Sequence, residues 1–255
     1  MIRASGVRLE RGGRRVLDGI DFELRTGEFV AVLGPNGVGK TTLLRACAGF
    51  DAPAEGEITL DGVPVHRLAS TARARAIAML AGDEMLADEL RVRDVVAIGR
   101  YPHRAWWQMT PNEADILAVE GALHATQLQG YATRIFSQLS SGEQQRVWIA
   151  MALAQGAPVL LLDEPTTHLD VRVAHRVLEL LRQRARAGAS VLCILHDINE
   201  AAAVADRILL LGCGRMLAIE EPEIVLGSPI IEEAYGIAML RAQSPDGRTI
   251  VIPAH

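Results

Sequence analysis

Apolar and polar positions change rhythm twice along the chain. In the first eighty residues, short apolar runs are punctuated by glycine. "EFVAVL" (28–33) reads as a buried strand ending at Gly34, and "GPNGVGKTTLLRACAG" passes through a glycine-rich turn into a helix that stops at Gly49. "GEITLDG" (56–62) alternates and closes on Asp-Gly, a hairpin signal, and "AIAML" (76–80) is another short strand. From about 84 to 156 the pattern becomes helical: "RVRDVVAIGR", "TPNEADILAVEGALHA" and "SGEQQRVWIAMALAQG" can each be drawn with one apolar face. Thr110 and Pro111 mark a helix start in the second of these. Beyond Pro158 strands return at "VLLLD" (159–163), "SVLCIL" (190–195) and "RILLL" (207–211), with helices between them. Strands alternating with helices mean a mostly parallel sheet covered on both faces. The expected architecture is an α/β core, residues 1–83 and 157–255, interrupted by a helical subdomain over 84–156.

Composition narrows this only a little. The 255 residues suffice for one sizeable α/β domain with an insertion, or two small domains. With 49% hydrophobic and 22% charged residues the chain is ordinarily globular. A net charge of −5 argues against a nucleic-acid partner, whose binder is usually basic. Cys47, Cys193 and Cys213 lack metal-ligand or C-x-x-C spacing and lie in apolar runs, so buried reduced thiols are expected, as in a reducing compartment. "MIRASGVRLERGG" does not read as a secretory signal. No apolar run approaches the ~20 residues that span a bilayer, so action at a membrane would go through a partner.

Three stretches carry chemistry. "GPNGVGKT" (34–41) fits G-x-x-x-x-G-K-[ST], the P-loop. Its glycines let backbone N–H groups close around phosphates, with Gly34, Pro35, Gly37, Val38 and Gly39 forming the loop. Lys40 would reach the β and γ phosphates, and the Thr41 hydroxyl would ligate Mg²⁺. Asn36 and Thr42 complete the cradle. "VLLLDEP" (159–165) places the Asp163 carboxylate near that metal, and Glu164 next to it is suited to act on water. "LSSGEQQRV" (139–147) sets Ser140, Ser141 and Gly142 at the start of a helix, where hydroxyls, backbone N–H groups and the dipole could receive a second anion.

In the order and spacing of "GPNGVGKTT", "LSSGEQQRV", "LLLDEPTTHLD" and "ILHD", the chain resembles the nucleotide-binding subunits of ABC transporters over nearly its whole length. The resemblance implies a P-loop NTPase core with a mostly parallel sheet, an N-terminal antiparallel β portion and an inserted helical subdomain. It implies ATP and Mg²⁺ as cofactors. It further implies a head-to-tail pair of cassettes, in which Ser140, Ser141 and Gly142, with Glu143 behind them, cap the γ-phosphate held by Lys40 of the other subunit. Glu164 would then be the general base, His196 would contact the γ-phosphate, and Asp170 would lie at the dimer interface. The other histidines (66, 103, 124, 168, 175 and 255) are expected to be surface or structural.

Some positions depart from the family pattern. Arg11 stands where an aromatic residue often stacks on adenine; a guanidinium can also stack there, or be a solvated surface group. Ala81-Gly82 replaces the usual Pro-Gln, and neither Asp83 nor Glu84 is an obvious substitute for the glutamine. The signature reads "SSGE" where "SGGQ" is commoner. "VVAIGRYPH", "DEPTTHLD" and the ending "EEAYGIAMLRAQSPDGRTIVIP" are similar to the ATPases of importers for iron–siderophore complexes, haem and vitamin B12. That implies a polytopic membrane permease as partner, a substrate-binding protein indirectly, and a place at the cytoplasmic face of the membrane. Alternatives are a non-transport ABC ATPase, or a weakly hydrolysing partner cassette on account of Gly82. "GRYPHRAWW" (99–107) is the expected docking surface, with Trp106 and Trp107 either exposed there or buried in the core.

Overall fold

The computed structural model describes residues 1–81, 89–105, 107–108, 110–245 and 247–254. Its strands are β1 (Ile2–Arg11), β2 (Arg14–Leu24), β3 (Phe29–Leu33), β4 (Glu55–Leu60), β5 (Val63–Pro64), β6 (Ile77–Leu80), β7 (Val159–Asp163), β8 (Ser190–Ile194), β9 (Arg207–Gly212), β10 (Arg215–Glu220), β11 (Met239–Gln243) and β12 (Thr249–Pro253). The helices are α1 (Lys40–Cys47), α2 (Ser70–Ala76), α3 (Val92–Ile98), α4 (Glu113–Ala125), α5 (Ser141–Gln155), α6 (Val171–Arg186), α7 (Ile198–Val204), α8 (Pro222–Gly227) and α9 (Ile230–Tyr235).

A four-stranded sheet of order β2-β1-β4-β5 is antiparallel throughout. The Asp-Gly signal does close a hairpin: Asp61 and Gly62 both have positive φ, 50° and 82°, between β4 and β5. The larger sheet runs β10-β9-β3-β8-β7-β6, with β3 and β6 to β9 parallel and β10 antiparallel on β9. Along β3 the residues alternate between two apolar clusters. Phe29, Ala31 and Leu33 face the cluster that holds α3 to α9, whereas Val30 and Val32 face the one containing α1 and the antiparallel sheet. The central sheet is thus buried on both faces, as its continuous apolar runs require.

Several local expectations need correction. Cys47 and Cys193 are buried, but Cys213 is exposed, because it sits with Gly214 in the tight β9–β10 turn rather than inside a strand. Burial pushes the Cys47 thiol up to about 12 and raises that of Cys193 as well. α4 begins two residues later than Thr110-Pro111 suggests. Asn112 accepts from the Asp115 N–H at 2.8 Å and donates its own N–H to Asp115 at 3.2 Å, a capping box that fixes the start. Nor does α5 present one apolar face. It packs against α3, α4 and β6, and Val147, Ile149, Ala150, Ala152, Leu153 and Ala154 are buried on several sides.

Candidate nucleotide-binding site

Because β3, β7 and β8 are parallel neighbours, the loops that follow them open on one edge of the sheet. There the chain forms a cavity of about 450 Å³ lined by Arg11, Val16, Asn36, Gly37, Gly39, Lys40, Thr41, Thr42, Glu164 and His196. The loop tolerates only glycine at its tight points. Gly34 has φ +148°, and a Cβ there would lie 2.5 Å from the Leu211 carbonyl oxygen. Gly39 has φ +111°, and its Cβ would lie 2.7 Å from Val16 Cγ1. Pro35 and Asn36 cross the turn, and Val38 is buried beneath it. α4 to α7 are all capped by their own side chains, but α1 has none at Gly39 and no acid in its first turn. Its positive end is left open to an anion, which fits a phosphate group.

Lys40 is buried, and its Nζ donates to the carbonyls of Gly34 (2.7 Å) and Pro35 (3.0 Å). Burial lowers its pKa, while the charges of Glu164 and Asp163 pull the other way. Asp163 closes β7 and is buried too. Burial raises its carboxyl pKa against a hydrogen bond from the Thr41 hydroxyl, which lowers it; Glu164 raises it further. Thr41 and Asp163 therefore form a hard oxygen pair. No group of three His, Cys, Asp or Glu side chains that could hold a metal by itself occurs among the described residues. That donor set suits Mg²⁺, which binds through one or two protein oxygens with phosphate and water completing the shell.

Glu164 follows directly in a left-handed conformation (φ 50°), rare for a non-glycine residue. Its N–H donates to the Ile194 carbonyl at 3.2 Å, tying it to the end of β8. That turn brings Oε2 within 2.7 Å of His196 Nε2. The two residues are 32 positions apart (196 − 164), yet they line one cavity.

The second cluster lines a different cavity, formed by Ser140, Ser141, Gly142, Glu143, Arg146, His168, Leu169, Asp170 and Val173. The two cavities share no lining residue. Ser140 caps α5: its Oγ accepts from the Glu143 N–H (3.3 Å), while Ser140 N and Oγ both donate to Glu143 Oε2 (2.8 Å each). These bonds, the one from the Ser140 backbone N–H foremost, hold the Glu143 carboxyl below its usual range. Gly142 is needed for close approach, since a Cβ there would lie 2.9 Å from the His168 carbonyl oxygen. Asp170 caps α6, accepting from the Val173 N–H at 2.9 Å.

Arg11 is exposed and lines the first of these cavities, a placement open to either a stacking or a solvated surface role. Gly82, Asp83, Glu84, Trp106 and His255 lie outside the described residues. Trp107 is exposed, and His103 Nε2 packs 2.7 Å from the Gln155 carbonyl oxygen, a structural contact. Two side chains at the site escape sequence reasoning. Gln145 Nε2 donates to the Pro165 carbonyl (3.3 Å), joining α5 to the turn after Glu164. Tyr235 accepts from the Gly34 N–H (3.1 Å) across 201 residues. "EEAYG" contains no local signal of that contact.

The family model for ABC transporters matches residues 17–167. The hemin import ATP-binding protein of Streptomyces coelicolor is 45% identical over 232 residues, covering 91% of this chain and 82% of that protein. An inward-facing ABC transporter of the metal-chelate type superposes with a TM-score of 0.85 at 27% identity, over 100% of this chain and 97% of the other. A dimeric ATP-binding cassette in a post-hydrolysis state, bound to ADP and Pi, superposes with a TM-score of 0.76 at 28% identity, over 87% of this chain and 99% of that one. With the family match spanning more than half of it, this chain belongs to the ABC transporter family.

Proposed function

We propose that the chain is the ATP-hydrolysing subunit of an importer whose cargo is a metal chelate of the iron–siderophore, haem or cobalamin kind. It would work as a head-to-tail pair of cassettes, identical or paralogous, docked on a separate polytopic permease at the cytoplasmic face of the membrane. No helix among the described residues is long and apolar enough to cross a membrane itself. The observation that carries the paired arrangement is the separation of the two cavities. The signature residues face a cavity that contains neither Lys40 nor Glu164, which supports a reading in which a second copy brings them together.

When bound, Mg–ATP supplies a γ-phosphoryl group whose transfer to water depends on charge neutralisation and an aligned attacking oxygen. Lys40 is held by two neutral carbonyls, and a phosphate oxygen would compete for its ammonium because an opposite full charge attracts it more strongly than a carbonyl dipole does. Thr41 and Asp163 would hold the metal. Glu164 would take the water's proton, and His196, whose Nε2 lies 2.7 Å from Glu164 Oε2, would contact the γ-phosphate. Ser140, Ser141 and Gly142 of the opposite subunit would close over that phosphate. The residues 1–83 and 157–255 would form the ATPase core, and 84–156 the subdomain that carries the signature and the docking surface.

Mixing variants tests the arrangement. Ser140→Arg should leave ATP binding to the monomer nearly intact but block dimer closure. Paired with a Lys40→Ala subunit, it leaves one composite site intact and puts both lesions in the other. Such mixed dimers should cross-link across one site only. Symmetric cross-linking at both would mean that the cluster serves its own subunit.

A further inference from the structure

The phosphate loop is anchored at its first residue from outside the motif. Gly34 is buried, has no side chain, and cannot acquire one because of the Leu211 carbonyl. Its N–H donates to the Tyr235 hydroxyl oxygen at 3.1 Å, and its C=O accepts from Lys40 Nζ at 2.7 Å. Tyr235 and Lys40 therefore grip the same residue at its two ends.

The phenol stands on a well-braced support. Tyr235 ends α9, which packs on β9 and β10. Arg241 holds α9 to the preceding turn, with bonds to both Glu232 carboxylate oxygens (2.7 and 2.9 Å) and to the carbonyls of Leu226 (2.7 Å) and Ser228 (2.6 Å). The hairpin that follows is tied to α7 by Asn199, which donates to the Val251 carbonyl at 3.0 Å and accepts its N–H at 2.9 Å. Burial raises the Tyr235 pKa further, opposed by the Gly34 bond, with Asp197 adding to the rise, so the hydroxyl stays neutral.

We propose that Tyr235 is a positioning residue of the nucleotide site: its hydroxyl fixes the Gly34 peptide and, through it, the shape of the phosphate loop and the resting place of Lys40. The nucleotide readout of this proposal rests on the ATPase reading above; the amide-exchange readout does not.

Tyr235→Phe keeps the ring and removes only the oxygen. Hydrogen exchange over residues 33–37 of the nucleotide-free protein should then accelerate by about tenfold or more, with exchange in β8 unchanged. The Kd for Mg–ATP, measured by calorimetric titration, should rise by about 5- to 150-fold, the range expected when a buried donor loses its partner. Because the loop is needed in ground and transition states alike, KM should rise with kcat nearly kept. Asn199→Ala loosens the same segment without touching the loop and should leave both readouts close to wild type. Wild-type exchange and affinity in Tyr235→Phe would overturn the proposal, as would equal shifts in Asn199→Ala. If no variant binds ATP but the exchange result holds, the nucleotide reading fails and the tether stands.

Discussion

Glu164 shows how much a single backbone conformation can decide. Its positive φ turns the side chain away from the direction of Asp163, so adjacent carboxylates take different partners: Thr41 for one, His196 for the other. A neutral amide at that position keeps the shape but cannot take a proton. Glu164→Gln should lower phosphate release by ~10²- to 10⁴-fold, while calorimetric titration finds ATP affinity little changed. Wild-type turnover in that variant would remove Glu164 from the general-base role.

Among the elements, α4 depends on one buried carboxylate. Asp115 is 1% exposed and accepts from Arg100 Nε at 3.0 Å and Arg104 Nε at 3.3 Å, besides closing the cap with Asn112. Burial works against the ionised form, but the bonds from Arg100 and Asn112 and the charge of Arg104 win, so its carboxyl lies below the ordinary range. Arg100 also donates to the Ala154 carbonyl at 2.9 Å, which links α4 to the end of α5. Asp115→Asn leaves two largely buried guanidinium groups without their counter-charge and should cost about 3–5 kcal/mol, read from urea unfolding. The sign in pH follows from the lowered pKa. This contribution is complete above the unfolded-state value of about 4 and is lost as pH falls through the lower folded-state one. Acid unfolding of the wild type should therefore be steeper below about pH 4 than that of Asp115→Asn; identical acid limbs would refute it.

At the scale of the whole molecule, the region 99–107 divides into an inner and an outer part. Arg100 and Arg104 turn inward onto Asp115, whereas Tyr101 and Trp107 are 63% and 68% exposed. Large aromatic side chains on a surface are typical anchors of an interface. Trp107→Glu should reduce co-purification with the permease and the uptake it drives, with thermal stability within about 0.5 kcal/mol of wild type. Unchanged assembly and transport would place the docking surface elsewhere.

What the sequence determined by itself was local. The strand, turn and helix around 34–41, the strand ending in Asp163 and the cap at Ser140 are each specified by residues within one turn or one strand of one another. Glycine at 34 and 39 and the hydroxyl-glycine cluster at 140–142 can be read without knowing what lies opposite them. The Thr110-Pro111 start failed because two caps competed within three residues, and Asn112 with Asp115 gains two reciprocal bonds. Cys213 is exposed because the apolar run around it is broken by a turn that only the pairing of β9 with β10 creates. The tertiary structure alone decided which loops meet at the sheet edge, that α5 is enclosed rather than one-sided, that the clusters at 34–42 and 140–143 occupy separate cavities, and that Tyr235 reaches Gly34. Each of these depends on several elements packing at once, and the free energy that selects such an arrangement resides in burial and hydrogen bonds between segments far apart in the chain, which leave no periodic trace in either segment.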